Sequence, residues 1–301
     1  MAMLAARGAG ALKGAVPLDQ PKRDAWTQDD ETARLSARDR REEAQAGPLV
    51  PPGVTPLVLL HAFPLSSLMW GPFADNLPDV PIIEVDLPGA GLSPVVEPVS
   101  IRGAAVAVAA TLRELGVSRA VVGGISMGGY VAMRLLVEAP GLFAGLALMS
   151  TRAGPDTPEQ RAGRLATARE VLAQDSVDTL RPMASRLVSA ESAAHQVGLV
   201  PQLETWIAEA SPAGVAWAQE AMASRPDSLP ELRASGVPAA VLAGEEDPFS
   251  RVEDAEEMVE AIGPGASLTV FAGVAHLAPL EAPAPVARTV REFYRRAVAT
   301  R

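Results

Sequence analysis

Cysteine is absent from the 301 residues, which excludes disulfides, thiolate metal sites and a cysteine nucleophile. Histidine is nearly so. His61, His195 and His276 are the three, too scattered for a histidine metal cluster, and neither a metal nor a cofactor is expected. Lysine occurs only at Lys13 and Lys22, and aromatic residues make up 4% of the chain. Basic residues number 26 against 36 acidic ones, a net charge of −10. Phosphate contacts need clustered cations, so nucleic acid is not an expected partner. No apolar run approaches the roughly 18 residues of a membrane span. The opening MAMLAARGAGALKGAV lacks the solid apolar block of a secretory signal. No membrane association is expected, and the cytoplasm is the expected location.

What is present is apolar and unevenly arranged. At 48% hydrophobic, the chain is long and apolar enough for one large core or two small domains. Residues 1–46 carry eight basic and eight acidic residues, so the whole net charge lies beyond them. Within that stretch DDETARLSARDRREE has almost nothing to bury. Residues 1–50 are expected to be a polar extension, disordered or loosely helical. From Pro51 onward short Val-, Leu- and Ile-rich bursts alternate with Gly, Pro and Asp.

Bursts of this kind suit strands buried on both faces of a parallel sheet. Strands are expected at 57–61, 82–86, 120–125, 145–150, 239–243 and 267–271. Helical spacing appears at 101–115, 127–138, 251–262 and 283–298. Alternating strand and helix predicts an α/β domain over residues 51–299, a mostly parallel sheet of six or more strands flanked by helices. One interval, about 155–225, contains helical stretches and no strand-like burst. It is expected to form a helical lid over the carboxyl ends of the strands, where ligands bind in open α/β sheets.

The strongest chemical signal is Gly124-Ile125-Ser126-Met127-Gly128, followed by Gly129, between an expected strand and an expected helix. A serine on such a sharp turn has its hydroxyl presented at the top of the sheet, beside a helix N-terminus. It needs a base, and His276 follows the last strand; the base needs an acid, and Asp247 follows the strand before it. Glu245 and Glu246 stand as rival acids. A tetrahedral oxyanion needs two N–H donors. Met127 supplies one, and Phe63 in LLHAFPLSS the other, since Pro64 has no N–H. His61 is expected to bond backbone and shape that turn, His195 to lie on the surface, and Asp86 to anchor the loop DLPGAGLS. Trp206 and Trp217 in the lid, with Trp70 and Tyr130, are candidate walls of a substrate pocket. Arginines 152, 161, 164, 169, 181 and 186 are expected on solvated helix faces.

Five motifs in order, HAFP at 61–64, DLPGAGLS at 86–93, GISMGG at 124–129, GEED at 244–247 and GVAH at 273–276, resemble the α/β-hydrolase superfamily across about residues 55–299. The sequence is similar to its small esterase, enol-lactonase and cofactor-free perhydrolase members. The resemblance implies an α/β-hydrolase fold, a lid inserted after the sixth family strand, and Ser126, Asp247 and His276 as the triad. The activity it implies is hydrolysis of a small-molecule carboxylic ester or lactone. Perhydrolysis, C–C bond hydrolysis or lyase chemistry on the same triad are the alternatives, as is a non-catalytic ligand-binding protein. Two features depart from the pattern. His61-Ala62 stands where His-Gly is usual, and residues 1–54 show no alternating pair of strands to form the usual antiparallel edge. The oligomeric state has no signal in the sequence.

Overall fold

A computed structural model describes residues 53–299 and, of the segment before them, the backbone strand Ala5–Arg7. Seven strands form one sheet in the order β1-β3-β2-β4-β5-β6-β7. They are β1 (Ala5–Arg7), β2 (Leu57–Leu60), β3 (Ile82–Val85), β4 (Ala120–Ile125), β5 (Phe143–Met149), β6 (Ala239–Gly244) and β7 (Ala266–Phe271). The six from β2 to β7 are parallel. All six expected strands are present, in an α/β-hydrolase fold.

Strands β2, β3, β4 and β6 are buried along their whole lengths, and β5 in all but its first residue. Each is an uninterrupted apolar run, apart from the buried Glu84 of β3. Burying one Leu, Ile or Val side chain contributes about 1.5–3 kcal/mol, so these runs hold the centre of the sheet. The edge strand β7, ASLTVF, mixes polar and apolar residues and is only half buried. Helix Met127–Glu138 packs on β2, β4 and β5 and against helix Ile101–Glu114, and helix Pro283–Ala299 packs on β4, β5 and β6. The first helix to be capped shows how the sequence starts these elements: Ser100 Oγ accepts from the Gly103 N–H at 2.9 Å.

The antiparallel edge departs from expectation. Ala5–Arg7 pairs antiparallel with β3, Ala6 opposite Ile83. Edge pairing runs through backbone N–H and C=O groups, so a three-residue strand needs no alternating side-chain pattern and leaves none to read. The rest of the polar extension expected over 1–50 lies outside the described residues.

Between β5 and β6 comes a cap of helical segments: Pro158–Gln174, the 3₁₀ stretch Asp178–Arg186, Ala190–His195, Leu199–Ala208 and Pro212–Ala223. Thr157 and Gln160 form a capping box at its entrance. Trp206 and Trp217 do not share a continuous helix. Pro212 begins a new one, whose first turn is closed by Ser211 Oγ accepting from the Gly214 N–H at 3.0 Å. Among the described residues no helix is long and apolar enough to cross a membrane.

Candidate active site

Strand β4 lies between β2 and β5, so its carboxyl end opens at the middle of the sheet. Ser126 sits there, after Ile125 and before Met127, with φ 53° and ψ −117°. Such a backbone costs a non-glycine residue about 1–3 kcal/mol and persists only where its neighbours dictate it. Here they do. The Ser126 N–H donates to the Met149 carbonyl at 3.0 Å. Its own carbonyl accepts from Thr151 Oγ1 at 2.8 Å and from the Gly129 N–H at 2.9 Å. A Cβ at Gly128 would lie 2.1 Å from the Leu60 carbonyl oxygen and 2.8 Å from that of His61. Only glycine lets the helix start that close to β2.

Asp247 follows β6 and His276 follows β7, and both are buried. His276 Nδ1 donates to the two Asp247 carboxylate oxygens, at 3.0 and 2.9 Å. The remaining lone pairs are filled by the Phe249 N–H at 2.8 Å, the Ser250 N–H at 3.2 Å and the Ser250 hydroxyl at 2.6 Å. Burial pushes the Asp247 carboxyl up, while His276, Ser250 and the Phe249 amide pull it down. The balance holds it below the ordinary carboxylate value. With Nδ1–H engaged, Nε2 of His276 is left with the lone pair that takes a proton. The rival acids Glu245 and Glu246 are exposed, and Glu245 accepts from the Gly273 N–H at 3.3 Å.

The loop after β2 completes the sheet's upper edge. Among the described residues neither the Phe63 nor the Met127 N–H has an acceptor within the fold. His61 is fully buried. It accepts the Leu87 N–H on Nε2 at 2.9 Å and bonds the Ala62 carbonyl through Nδ1 at 3.0 Å, so Nδ1 carries the proton. Burial lowers its pKa, opposed by Asp86 and the Ala62 carbonyl. It therefore ties two loops together as a neutral ring. Asp86 accepts the Ser67 N–H at 2.7 Å and the Leu92 N–H at 3.3 Å, which is the anchoring expected of it. His195 is exposed and bonds the Glu191 carbonyl at 3.0 Å.

Among the described residues no two of the four aromatic candidates are in ring contact. Trp70 is fully buried in the core, edge-on to Phe73 at 5.5 Å. Trp217 is buried and donates from Nε1 to the Val96 carbonyl at 2.7 Å. Trp206 is half-buried against the core. Tyr130, one turn beyond Ser126, lies under the Arg225 guanidinium, 4.2 Å from its ring centre.

That arginine belongs to a cluster that single-residue reading missed. The Asp156 carboxylate, 1% exposed, pairs with Arg225 at 2.7 Å, Arg152 at 2.7 Å and Arg164 at 2.5 Å. Arg164 also donates to Gln219 Oε1 at 3.2 Å. Arg152 and Arg164 thus hold the cap to the body, contrary to the solvated faces expected of them. Arg161, Arg169, Arg181 and Arg186 are exposed as expected.

Residues 57–289 match the model of the alpha/beta hydrolase family. The chain belongs to that family. It is similar to a malate-bound thermophilic esterase from Thermogutta terrifontis, with 34% identity and a TM-score of 0.77 over 81% of this chain and 90% of that one. Est816, an N-acyl homoserine lactone degrading enzyme, aligns at 26% identity and a TM-score of 0.66, over 79% of this chain and 93% of its own. Lipase LipV of Mycobacterium tuberculosis is 36% identical over 99 residues, 33% of this chain. The chain spans less than half the length of the first curated relatives it matches, 38% in the case of LipV.

Two further groups bear on the site. Ser250 closes the last lone pairs of Asp247, and the spacing in DPFS, three residues from acid to hydroxyl, is a readable signal. Glu281, buried in LAPLEAP, accepts the N–H next to His276. A lone acid inside an apolar run was the available signal for it.

Proposed function

We propose that this hydrolase cleaves small carboxylic esters or lactones through an acyl-enzyme on Ser126. Ser126 Oγ attacks the substrate carbonyl while His276 Nε2 takes its proton. The carbonyl oxygen, now negative, is held by the Phe63 and Met127 N–H groups. His276 returns the proton to the departing alkoxide, which leaves as the alcohol or, in a lactone, as the hydroxyl end of the acyl chain. Water then repeats the sequence, giving its proton to His276 and releasing the carboxylic acid. Asp247 holds the ring by Nδ1 throughout and stabilises the imidazolium.

One observation carries this reading. The His276 ring is fixed through Nδ1 on a buried carboxylate with every other lone pair satisfied, on the same sheet edge as a serine in a strained turn. The two amides without an acceptor, on the turns flanking that edge, support the oxyanion assignment. The likeness to an esterase and to a lactone-degrading enzyme supports the substrate class.

Intact mass after treatment with a fluorophosphonate tests the reading. A single adduct is expected on the wild type and none on Ser126→Ala. Turnover of p-nitrophenyl butyrate should fall by about 10⁶-fold in the same variant. A folded wild type that takes no adduct would overturn the proposal. Parallel assays on a simple ester, an acyl homoserine lactone and a β-diketone separate ester and lactone hydrolysis from C–C cleavage.

A further inference from the structure

Glu281 carries a carboxylate that the mechanism above does not use. It lies five residues beyond His276, at the end of the short helix Ala278–Glu281, and is 7% exposed. Among the described residues it forms no ion pair with an arginine or lysine; two backbone amides meet it instead. The Ala275 N–H donates to its two oxygens at 3.0 and 3.2 Å, and the Ser189 N–H donates at 2.8 Å. Ala275 immediately precedes His276. Ser189 is 92 residues from Glu281 in sequence and caps the helix Ala190–His195 inside the cap.

Other bonds run across the same seam. The Leu277 N–H donates to the Leu187 carbonyl at 3.1 Å, and Gln196 Nε2 donates to the Glu281 carbonyl at 2.8 Å. Both neighbours of His276 are therefore tied to cap residues, Ala275 through the Glu281 side chain and Leu277 directly. A further contact reaches the ring itself. Phe249 stands edge-on to His276 at 5.0 Å, and the Arg186 guanidinium of the cap covers Phe249 at 5.2 Å.

We infer that Glu281 is a positioning residue, a latch that seats the cap and sets the His276 loop in one event; the inference rests on the hydrolase reading of His276. The residue type follows from the donors. Two N–H groups converge, and a carboxylate offers an acceptor oxygen to each. Glutamine, of nearly equal size, offers one acceptor and turns an NH₂ toward the other donor. When the cap lifts, Ser189 and Leu187 leave together and the base loop loses its hold on both sides of the ring. Proton transfer is sensitive to such shifts, a misplacement of about 1 Å being worth up to about 10²-fold in rate.

The test uses the full chain with the Glu281→Gln variant, reading three quantities below its melting temperature. These are kcat and KM for p-nitrophenyl butyrate, the rate of fluorophosphonate labelling of Ser126, and amide exchange in peptides covering 187–196 and 274–277. The expected result is a fall of about 10- to 100-fold in kcat and in labelling rate with KM little changed, and faster exchange in both peptides together. Ser189→Pro breaks the latch from the cap side. Ser189 has φ −68°, which proline adopts, and the substitution removes the donating N–H. It should reproduce the kcat loss without touching the base loop, and it serves where Glu281→Gln does not fold. A lowered melting temperature with kcat and labelling rate unchanged would reduce Glu281 to a structural acid and overturn the inference. Faster exchange in only one peptide would overturn the latch. A wild type that takes no probe would sink the hydrolase reading itself, and the positioning role with it.

Discussion

Ser126 and Asp156 are fastened within a few residues of each other, through Thr151 and Arg152 at the end of β5, yet opposite physics holds them. The Ser126 turn is set by volume: Gly128 meets the Leu60 and His61 carbonyls with no room for a methyl group. The root of the cap is set by charge. There Asp156 gathers Arg152, Arg164 and Arg225, and Arg225 also donates to the carbonyls of Gly154 at 3.0 Å and Met222 at 3.3 Å. A volume constraint is local and all-or-none. A charge cluster draws on distant parts of the chain and weakens in steps. Changes at the turn should therefore abolish turnover, while changes at the cap should chiefly lower stability.

After Ser126→Ala itself, the largest effect should come from the buried acid Asp247. Asp247→Asn keeps the size of the side chain but lets His276 adopt the wrong tautomer, and kcat should fall by about 10⁴-fold with the circular dichroism spectrum unchanged. Next is Gly128→Ala, whose new methyl meets backbone rather than a movable side chain. The turn has to open, costing about 1–3 kcal/mol and about 10²-fold in kcat through the displaced Ser126. A Gly128→Ala enzyme with wild-type turnover would remove volume as the cause of the turn's geometry.

At the cap the order of effects should invert. Asp156→Asn leaves three guanidinium groups around a neutral amide and should lower stability by about 3 kcal/mol, read from urea midpoints. Its pH dependence has a definite sign. Burial raises the Asp156 pKa, but Arg164 and Arg225 together pull it below the ordinary 3.8. A depressed carboxylate stabilises the fold fully above the unfolded value and loses that contribution as pH falls through the folded one. The gap between wild type and Asp156→Asn should be constant above the ordinary carboxylate range and narrow progressively as the pH falls below it. A gap that did not narrow at all as the pH fell below the ordinary carboxylate range would mean that shape, not charge, roots the cap.

The same division decided what could be read without coordinates. Strand β4, AVVGGI, announces itself as an apolar run, and the glycines around Ser126 mark their own turn, so the sheet and the sharp turn at Ser126 were legible. The acid was legible only as a set of three. Burial of Asp247, closed over by the Phe249 and Ser250 amides, distinguishes it from the exposed Glu245 and Glu246. The cap was legible as helices but not as a packing arrangement. Arg225 and Glu281 are single charges with a decisive partner, Asp156 or Ser189, tens of residues away, and no period records them. Trp70 stood beside the HAFP turn as a candidate wall, but the 3₁₀ turn Ser67–Trp70 carries it into the core against Phe73.

The smallest effect separates the two seams of the cap. On the side away from His276, Trp217 Nε1 donates to the buried Val96 carbonyl. Nearby, Gly214 lies so close to Gly89 that a Cβ on it would stand 1.9 Å from the Gly89 oxygen. Trp217→Phe keeps an aromatic ring there and removes one hydrogen bond, about 1 kcal/mol or about 2 °C in melting temperature. Among the described residues no bond in this seam reaches the base loop, so kcat should stay near the wild-type value while the melting temperature drops. Glu281→Gln, at the other seam, should lower kcat as well. If Trp217→Phe cut kcat as deeply as Glu281→Gln, the cap would move as one rigid piece, and its grip on His276 would belong to the whole cap rather than to one carboxylate.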